Sequence, residues 1–319
     1  MNRLFSLTRV DALLLLVCVI WGSNFTVIKT AFREMEPAAF NALRLIIASA
    51  SFLGVIIFVQ RRPASGSASE RWWSILRTDA PLTRGDWLSL ALIGAIGHFA
   101  YQLCFVGSLA RTTVANTSLI LGLTPASVAL ASAAIGQERV TRHHWIGLAL
   151  SIAGLYLVVG RGAQVSRSAL AGDGLAALSV LCWTIYTLVG QRLMERHSPL
   201  GVTGLSMAMG TVPYVLFATP TLRRTDWSAV GVTTWVALAY SAMFALCVAY
   251  LVWYVAVRQI GSARTSVYSN VIPLVAMAVA FVWLGEPIGW SKIAGAAAVL
   301  AGVAVTRLER LPFLIPAEE

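Results

Sequence analysis

The side chains with chemical capability sit inside long apolar stretches. His98, Tyr101, Gln102 and Phe105 stand at i, i+3, i+4 and i+7, a spacing that puts them on one face of a helix. A face carrying His and Gln does not suit lipid tails, so it is expected to look into protein or a wet cavity. His98 is the group at depth whose ordinary pKa lies near neutrality, which makes it the candidate for any coupling to protons. Aromatic residues recur at comparable depth as Trp21 and Phe25, Trp183 and Tyr186, then Tyr250, Trp253 and Tyr254, and Tyr268. Flat rings stack on aromatic cargo and attract an ammonium group by cation–π contact. This is the chemistry of recognition rather than of bond-making. The plainer reading of each residue is packing, with His98 as a buried hydrogen-bonder.

Two polar runs precede prolines. Asn116, Thr117 and Ser118 lead to Pro125, and Ser266, Tyr268, Ser269 and Asn270 lead to Pro273. Proline removes one backbone hydrogen bond and frees the carbonyl four residues earlier, here those of Leu121 and Ser269. Membrane interiors accept this where protein or cavity water satisfies the freed groups. The pair is read as two hinges beside a binding site, against the alternative of static kinks. The candidate binding residues are therefore Trp21, Asn24, His98, Tyr101, Gln102, Trp183, Tyr186, Tyr250, Tyr254, Tyr268 and Asn270, with Pro125 and Pro273 as hinges.

Charge placement narrows the cargo. All 14 carboxylates fall at span ends, in loops or at the terminus, whereas a proton relay or a site for multivalent cations would put one at depth. Lys29 and Arg44 are the cations within spans, and either could meet a carboxylate of the cargo. Alternatively Lys29 reaches outward to the interface, and Arg44 binds backbone carbonyls or Glu34 and Glu36. Cys18, Cys104, Cys182 and Cys247 each lie alone in apolar runs and read as small buried hydrophobes without disulfide or metal spacing. His143 and His144 are adjacent and are expected to be solvated loop residues, so no metal or cofactor is expected.

The elements that must position these groups are membrane helices. Of 319 residues, 58% are hydrophobic and only 12% charged, against about 25% charged in soluble domains. A soluble enzyme, a disordered tail and a fibrous protein are excluded. The net charge of +10 is spread over short segments between apolar runs, as orientation signals are, and no stretch is long enough to track nucleic acid. Ten spans are expected, over about 11–32, 38–60, 86–109, 112–135, 143–160, 173–193, 200–219, 232–257, 262–284 and 290–307. The first is read as a helix, not a signal peptide, because it runs past Trp21 to Lys29 without a cleavage site. An N-terminus in the cytoplasm puts 15 Lys and Arg in inside loops against eight outside, with Arg44 within a span. Both termini are thus expected in the cytoplasm, and the loop near 61–85 is expected inside, with Arg71-Trp72-Trp73 as an interfacial anchor.

The two halves repeat. Adding 162 takes Asp11 to Asp173, Trp21 to Trp183 and Pro37 to Pro199; adding 148 takes Pro125 to Pro273, Glu138 to Glu286, Gly147 to Gly295 and Gly154 to Gly302. Five spans per half is odd, so the second copy enters the membrane from the opposite side, as in transporters built on inverted repeats. The expected fold is all-α and polytopic, with residues 1–160 and 161–319 as two five-helix inverted repeats. Glu138 and Glu286 are expected to cap the next helix, and the matched glycines to mark close helix approach.

Trp21-Gly22-Ser23-Asn24-Phe25 with Lys29 resembles the first-helix signature of the EamA family in the drug/metabolite transporter superfamily. So do Pro125, Gly136-Gln137-Glu138, Gly147 and Gly154, and in the second half Pro273, Gly285-Glu286, Gly295 and Gly302. The resemblance spans roughly residues 11 to 307. It implies ten helices, an inverted repeat, a central cavity lined by the first four helices of each half, and export of amino acids, aromatic ones among them, or other metabolites. The small multidrug-resistance relatives carry a Glu in their first helix; here nothing acidic lies between Asp11 and Glu34, which counts against antiport of cationic drugs and favours a neutral or zwitterionic cargo moved by facilitated diffusion or exchange. The expected protein is a monomeric inner-membrane exporter working by alternating access, with a small-molecule cargo and the lipid bilayer as its partners. A nucleotide-sugar or sugar-phosphate exchanger is the alternative, and it would need more than two basic residues in the cavity. A membrane-embedded enzyme would need clustered His, Asp or Glu at a membrane face, which the sequence lacks. A scaffold that transports nothing would leave the proline breaks idle.

Overall fold

The computed structural model describes residues 8–61, 76–77, 80–137, 142–159, 167–285 and 289–307. Most of the 61–85 loop with its Arg-Trp-Trp anchor, and the expected caps Glu138 and Glu286, lie outside them. Among the described residues regular structure is helical throughout. We label the helices α1 (Arg9–Ala31), α2 (Pro37–Arg61), α3 (Arg84–Arg111), α4 (Val114–Ala134), α5 (Arg142–Val159), α6 (Arg167–Leu193), α7 (Pro199–Arg224), α8 (Val232–Ile260), α9 (Ser262–Leu284) and α10 (Trp290–Arg307). Eight of these, all except α5 and α10, are long and apolar enough to cross a membrane.

Local sequence sets several starts. Thr8 and Asp11 form a capping box on α1, and Thr83 and Asp86 form another on α3, each satisfying orphan N–H groups at the helix start. Ser198 accepts from the Gly201 N–H and opens α7 just ahead of Pro199. Helix α6 begins at Arg167, earlier than expected, so Asp173 lies in its second turn rather than at its start. His143 is in the first turn of α5, exposed but helical, not in a loop: the helix simply starts before the apolar run does. Gly147, Gly154, Gly295 and Gly302 are buried, on the helices α5 and α10 that pack on each other.

The helices pair in a pattern that survives exchange of each helix for the one five places along. Helix α1 packs on α9 and α8, as α6 packs on α4 and α3; α2 packs on α8, as α7 packs on α3. The pairs α2–α7, α4–α9 and α5–α10 are each their own counterpart. Hydrogen bonds give the sense of the chain. Lys29, in the last turn of α1, donates to the Leu109 carbonyl at 3.0 Å and to that of Thr112. The Thr112 hydroxyl donates to Asp173 near the start of α6 at 3.0 Å. At the other end Asp11 accepts from the Tyr268 hydroxyl, and Ser262, under two turns from Tyr268, donates its N–H to Gln191 in the last turn of α6 at 3.2 Å. Helix α1 therefore ends where α6 begins and begins where α6 ends, so the two run antiparallel.

Matched residues meet on the line relating the halves. Ser49 and Thr211, 162 positions apart, share a hydrogen bond of 2.7 Å, and the rings of Trp21 and Trp183 meet edge to face at 5.4 Å. The junctions match too. Glu34, after α1, accepts from the Gly231 N–H at 3.0 Å and the Thr234 hydroxyl at 2.7 Å at the start of α8. Arg196 and His197, after α6, lie 3.6 and 3.2 Å from Asp86 at the start of α3. The same joint is made twice, with the acid on opposite partners.

Candidate functional site

A cavity opens between the matched helices, with about 630 Å³ of empty space including its open mouth. Helix α1 contributes Trp21, Asn24 and Phe25, α3 contributes Tyr101, Gln102 and Phe105, and α6 contributes Trp183. Tyr250 of α8, with Ala245 and Leu246, closes one wall; Ser118, Leu121 and Thr124 of α4 and Ser269 and Ile272 of α9 form another. Arg44 enters from α2.

The rings hold one another. Trp183 lies 5.2 Å from Tyr250 and 5.3 Å from Tyr101, and Trp21 lies 5.8 Å from Tyr250. Phe105 stacks on Tyr101 and meets Phe25 edge to face at 5.3 Å. Such pairs contribute about 0.5–1.5 kcal/mol each beyond the area they bury, so the wall is preorganised. The Trp21 indole N–H donates to the Ala245 carbonyl at 2.9 Å. That carbonyl lies in a π-helical turn, Ser241–Val248, and α3 has its own π turn at the matched place, Ala95–Ala100. π turns disrupt the regular i→i−4 ladder and recur at functional sites.

Six of the expected binding residues line the cavity: Trp21, Asn24, Tyr101, Gln102, Trp183 and Tyr250. Asn24 accepts from the Ser241 hydroxyl at 2.6 Å. Gln102 donates to the Tyr250 hydroxyl at 3.3 Å, and its Oε1 has no partner. His98, Tyr186, Tyr254, Tyr268 and Asn270 do not line it, although each is buried. His98 meets Tyr186 edge to face at 4.9 Å and shares a 3.3 Å hydrogen bond with Ser206. Tyr186 stacks on Tyr254 at 4.9 Å, and the Tyr254 hydroxyl donates to the Tyr186 carbonyl at 2.8 Å. These three form a packed layer behind the wall. The α3 face read from helical spacing assumed an unbroken α-helix, and the π turn rotates His98 out of it.

The proline breaks exist at both places. Helix α4 is interrupted before Pro125, and α9 passes through a 3₁₀ turn, Tyr268–Val271, before Pro273. The Leu121 carbonyl accepts from the Thr124 hydroxyl at 2.6 Å. Leu121 and Ser269 are the residues whose carbonyls proline frees, and both face the cavity.

The two in-span cations part company. Lys29 neither reaches outward nor enters the cavity; it caps the C-terminal carbonyls of α3, where a cation suits the helix dipole. Arg44 binds neither Glu34 nor Glu36. It is 1% exposed, donates from Nη1 to the Asn41 side chain at 2.7 Å, lies 6.0 Å above the Phe40 ring and lines the cavity. Among the described residues no carboxylate lines the cavity, and no group of three or more His, Cys, Asp or Glu has metal-holding geometry.

The model of the EamA-like transporter family matches residues 8–160 and again 170–308. The chain belongs to the EamA-like transporter family. Each half carries one copy of the family unit, in keeping with the paired contacts above. This EamA-like transporter is 27% identical over 285 residues to the uncharacterized transporter YyaM of Bacillus subtilis, covering 88% of each chain. It is 26% identical to a probable amino-acid metabolite efflux pump of Salmonella typhimurium, over 93% of this chain and 94% of that one. To a probable terminal-alkyne amino-acid exporter of Streptantibioticus cattleyicolor it is 28% identical, over 91% and 90%. One solved crystal structure superposes with a TM-score of 0.70 at 20% identity, covering 93% of this chain and 96% of that one, which fixes the shared fold. The transporter is a multi-pass membrane protein.

Residues missed at the site are instructive. Thr124, Ala245, Leu246 and Ile272 are ordinary apolar or small residues in apolar runs, and nothing in the sequence separates them from packing. Ser118, Leu121 and Ser269 were flagged only by the proline breaks.

Proposed function

We propose that this EamA-like transporter exports amino acids, aromatic and other neutral ones, and related small metabolites across the bacterial inner membrane. In this reading all ten helices span. Residues 1–160 and 161–319 form two inverted five-helix halves, and both termini lie in the cytoplasm. The halves expose the central cavity to alternate sides, bending at the breaks before Pro125 and Pro273. The protein works as a monomer and needs no cofactor. One observation carries the reading: the cavity between the halves is walled by interlocked rings, has Arg44 and Gln102 in its lining, and has no lining carboxylate among the described residues. Rings hold an apolar or aromatic side chain, the Gln102 oxygen accepts from an ammonium, and Arg44 offers donors to an acid. The names of two relatives, an amino-acid metabolite efflux pump and an amino-acid exporter, point the same way.

A nucleotide-sugar or sugar-phosphate exchanger would use the same cavity, but a phosphate dianion calls for several cations, and Lys29 is turned away on carbonyls. Counterflow in proteoliposomes loaded with each common amino acid, and separately with sugar phosphates, decides between them. Exchange of neutral amino acids, strongest for aromatic ones, is expected. Exchange of sugar phosphates alone would refute the reading.

A further inference from the structure

We infer that the cavity admits only cargo bearing a carboxylate, and that Arg44 is the residue that reads it. The inference deepens the export reading and rests on it for the cavity's role. Arg44 is among the largest fully buried side chains of the protein. Its charge lies away from both helix ends of α2, seven residues in from Pro37. One guanidinium nitrogen is held by Asn41 at 2.7 Å, and Nε has no partner. The groups about it are neutral: the Phe40 ring lies below it, and Tyr101 and Tyr250 share its cavity wall.

A buried cation without a counter-ion is unfavourable, because desolvation is not repaid. Such a residue persists where its partner arrives from outside. Among the described residues no acid fills that role, and Asp11, Glu34, Asp86 and Asp173 are each engaged at helix ends. Arg44 also lines the cavity beside Tyr101 and Tyr250, so its counter-ion is to be sought among the cargo. The guanidinium fork matches a carboxylate in a two-bond arrangement that a lysine cannot reproduce. A single cation neutralises a carboxylate, whereas a phosphate dianion would be left half-compensated. Asn41 fixes the fork and the rings supply the rest of the contact. Recognition of the acid is thus separable from recognition of the side chain.

The test uses the intact wild-type protein and pairs of compounds that differ only at the acid. Phenylalanine, tyrosine and leucine are compared with their amides, and 3-phenylpropionate with phenethylamine. Two readouts run in parallel: competition against labelled phenylalanine in counterflow, and the rise in melting temperature of detergent-solubilised protein. The acids, including 3-phenylpropionate, are expected to bind at least about tenfold more tightly than the amides and the amine. Arg44→Gln should collapse that ratio to near one, and Arg44→Lys should restore it only in part. If Arg44→Gln fails to fold, the wild-type series decides alone. Equal stabilisation by acid and amide, or none by any acid, overturns the inference. Acids that bind better than amides while no amino acid is exchanged would instead sink the export reading and leave the acid site standing.

Discussion

At the scale of single residues, the site depends as much on side chains that are missing as on those present. A Cβ on Gly210 would stand 2.2 Å from the Gly94 carbonyl oxygen, and one on Gly97 would stand 2.3 Å from the Tyr186 ring. The first obstacle is backbone, so no rotamer relieves it and α3 would have to part from α7. Gly210→Ala is expected to cost about 1–3 kcal/mol, read as a lower melting temperature in detergent. His98 tests a different point. It packs on Tyr186 behind the cavity wall, so His98→Ala should lower stability by about 2–4 kcal/mol through the space it leaves. The preference for acids over amides should stay unchanged in the same variant. A lost preference with unaltered melting would instead place His98 at the cargo.

At the scale of elements, the joint between the α1–α2 connection and α8 is an acid accepting two hydrogen bonds. The Thr234 hydroxyl and then the Gly231 N–H hold the Glu34 carboxyl below its usual value of 4.5. A group depressed on folding stabilises above its unfolded pKa, and that contribution is lost as pH falls through the folded one. Protection of the Gly231 and Thr234 amides, taken against the intrinsic exchange rate at each pH, is therefore expected to be steady above about pH 5 and to fall on acidification below 4.5. Glu34→Gln should remove that pH dependence. The matched joint, Arg196 and His197 on Asp86, shows that position is repeated where charge is not. Sequence offsets alone could not reveal this, since Glu34 pairs with Arg196 and Asp86 with Thr234 in the repeat.

At the scale of the whole molecule, two matched acids stand at opposite ends of the bundle. Asp11 ties α1 to α9 through Tyr268, and Asp173 ties α6 to Thr112 and, through the Asn116 amide at 3.3 Å, to α4. Alternating access needs one end to loosen while the other holds. In a cysteine-free background, Ser266→Cys and Thr117→Cys, both at fully buried positions, report on the two ends. Tyr268→Phe is expected to raise maleimide labelling at position 266 severalfold and leave 117 protected, and Asp173→Ala to do the reverse. Equal labelling of both sites in either variant would show that the two ends open together.

Membrane class, eight of the ten expected spans and the internal repeat were legible in the chain because hydropathy and matched offsets are properties of local sequence. A charge count or a proline four residues after a carbonyl needs no fold to be seen, and Leu121 and Ser269 were found that way. Aromatic depth was legible as well, but not which rings face the cavity: Trp21, Trp183 and Tyr250 do, whereas Tyr186 and Tyr254 form the layer behind. That division is set by packing between helices: Tyr186 and Tyr254 stack on each other at 4.9 Å behind the wall, a contact between α6 and α8 that spacing along either helix does not record. It likewise took tertiary structure to give Lys29 the carbonyls of α3 and leave Arg44 without an acid among the described residues. Residues 80 or more apart decide those partnerships, and one-dimensional spacing carries no record of them.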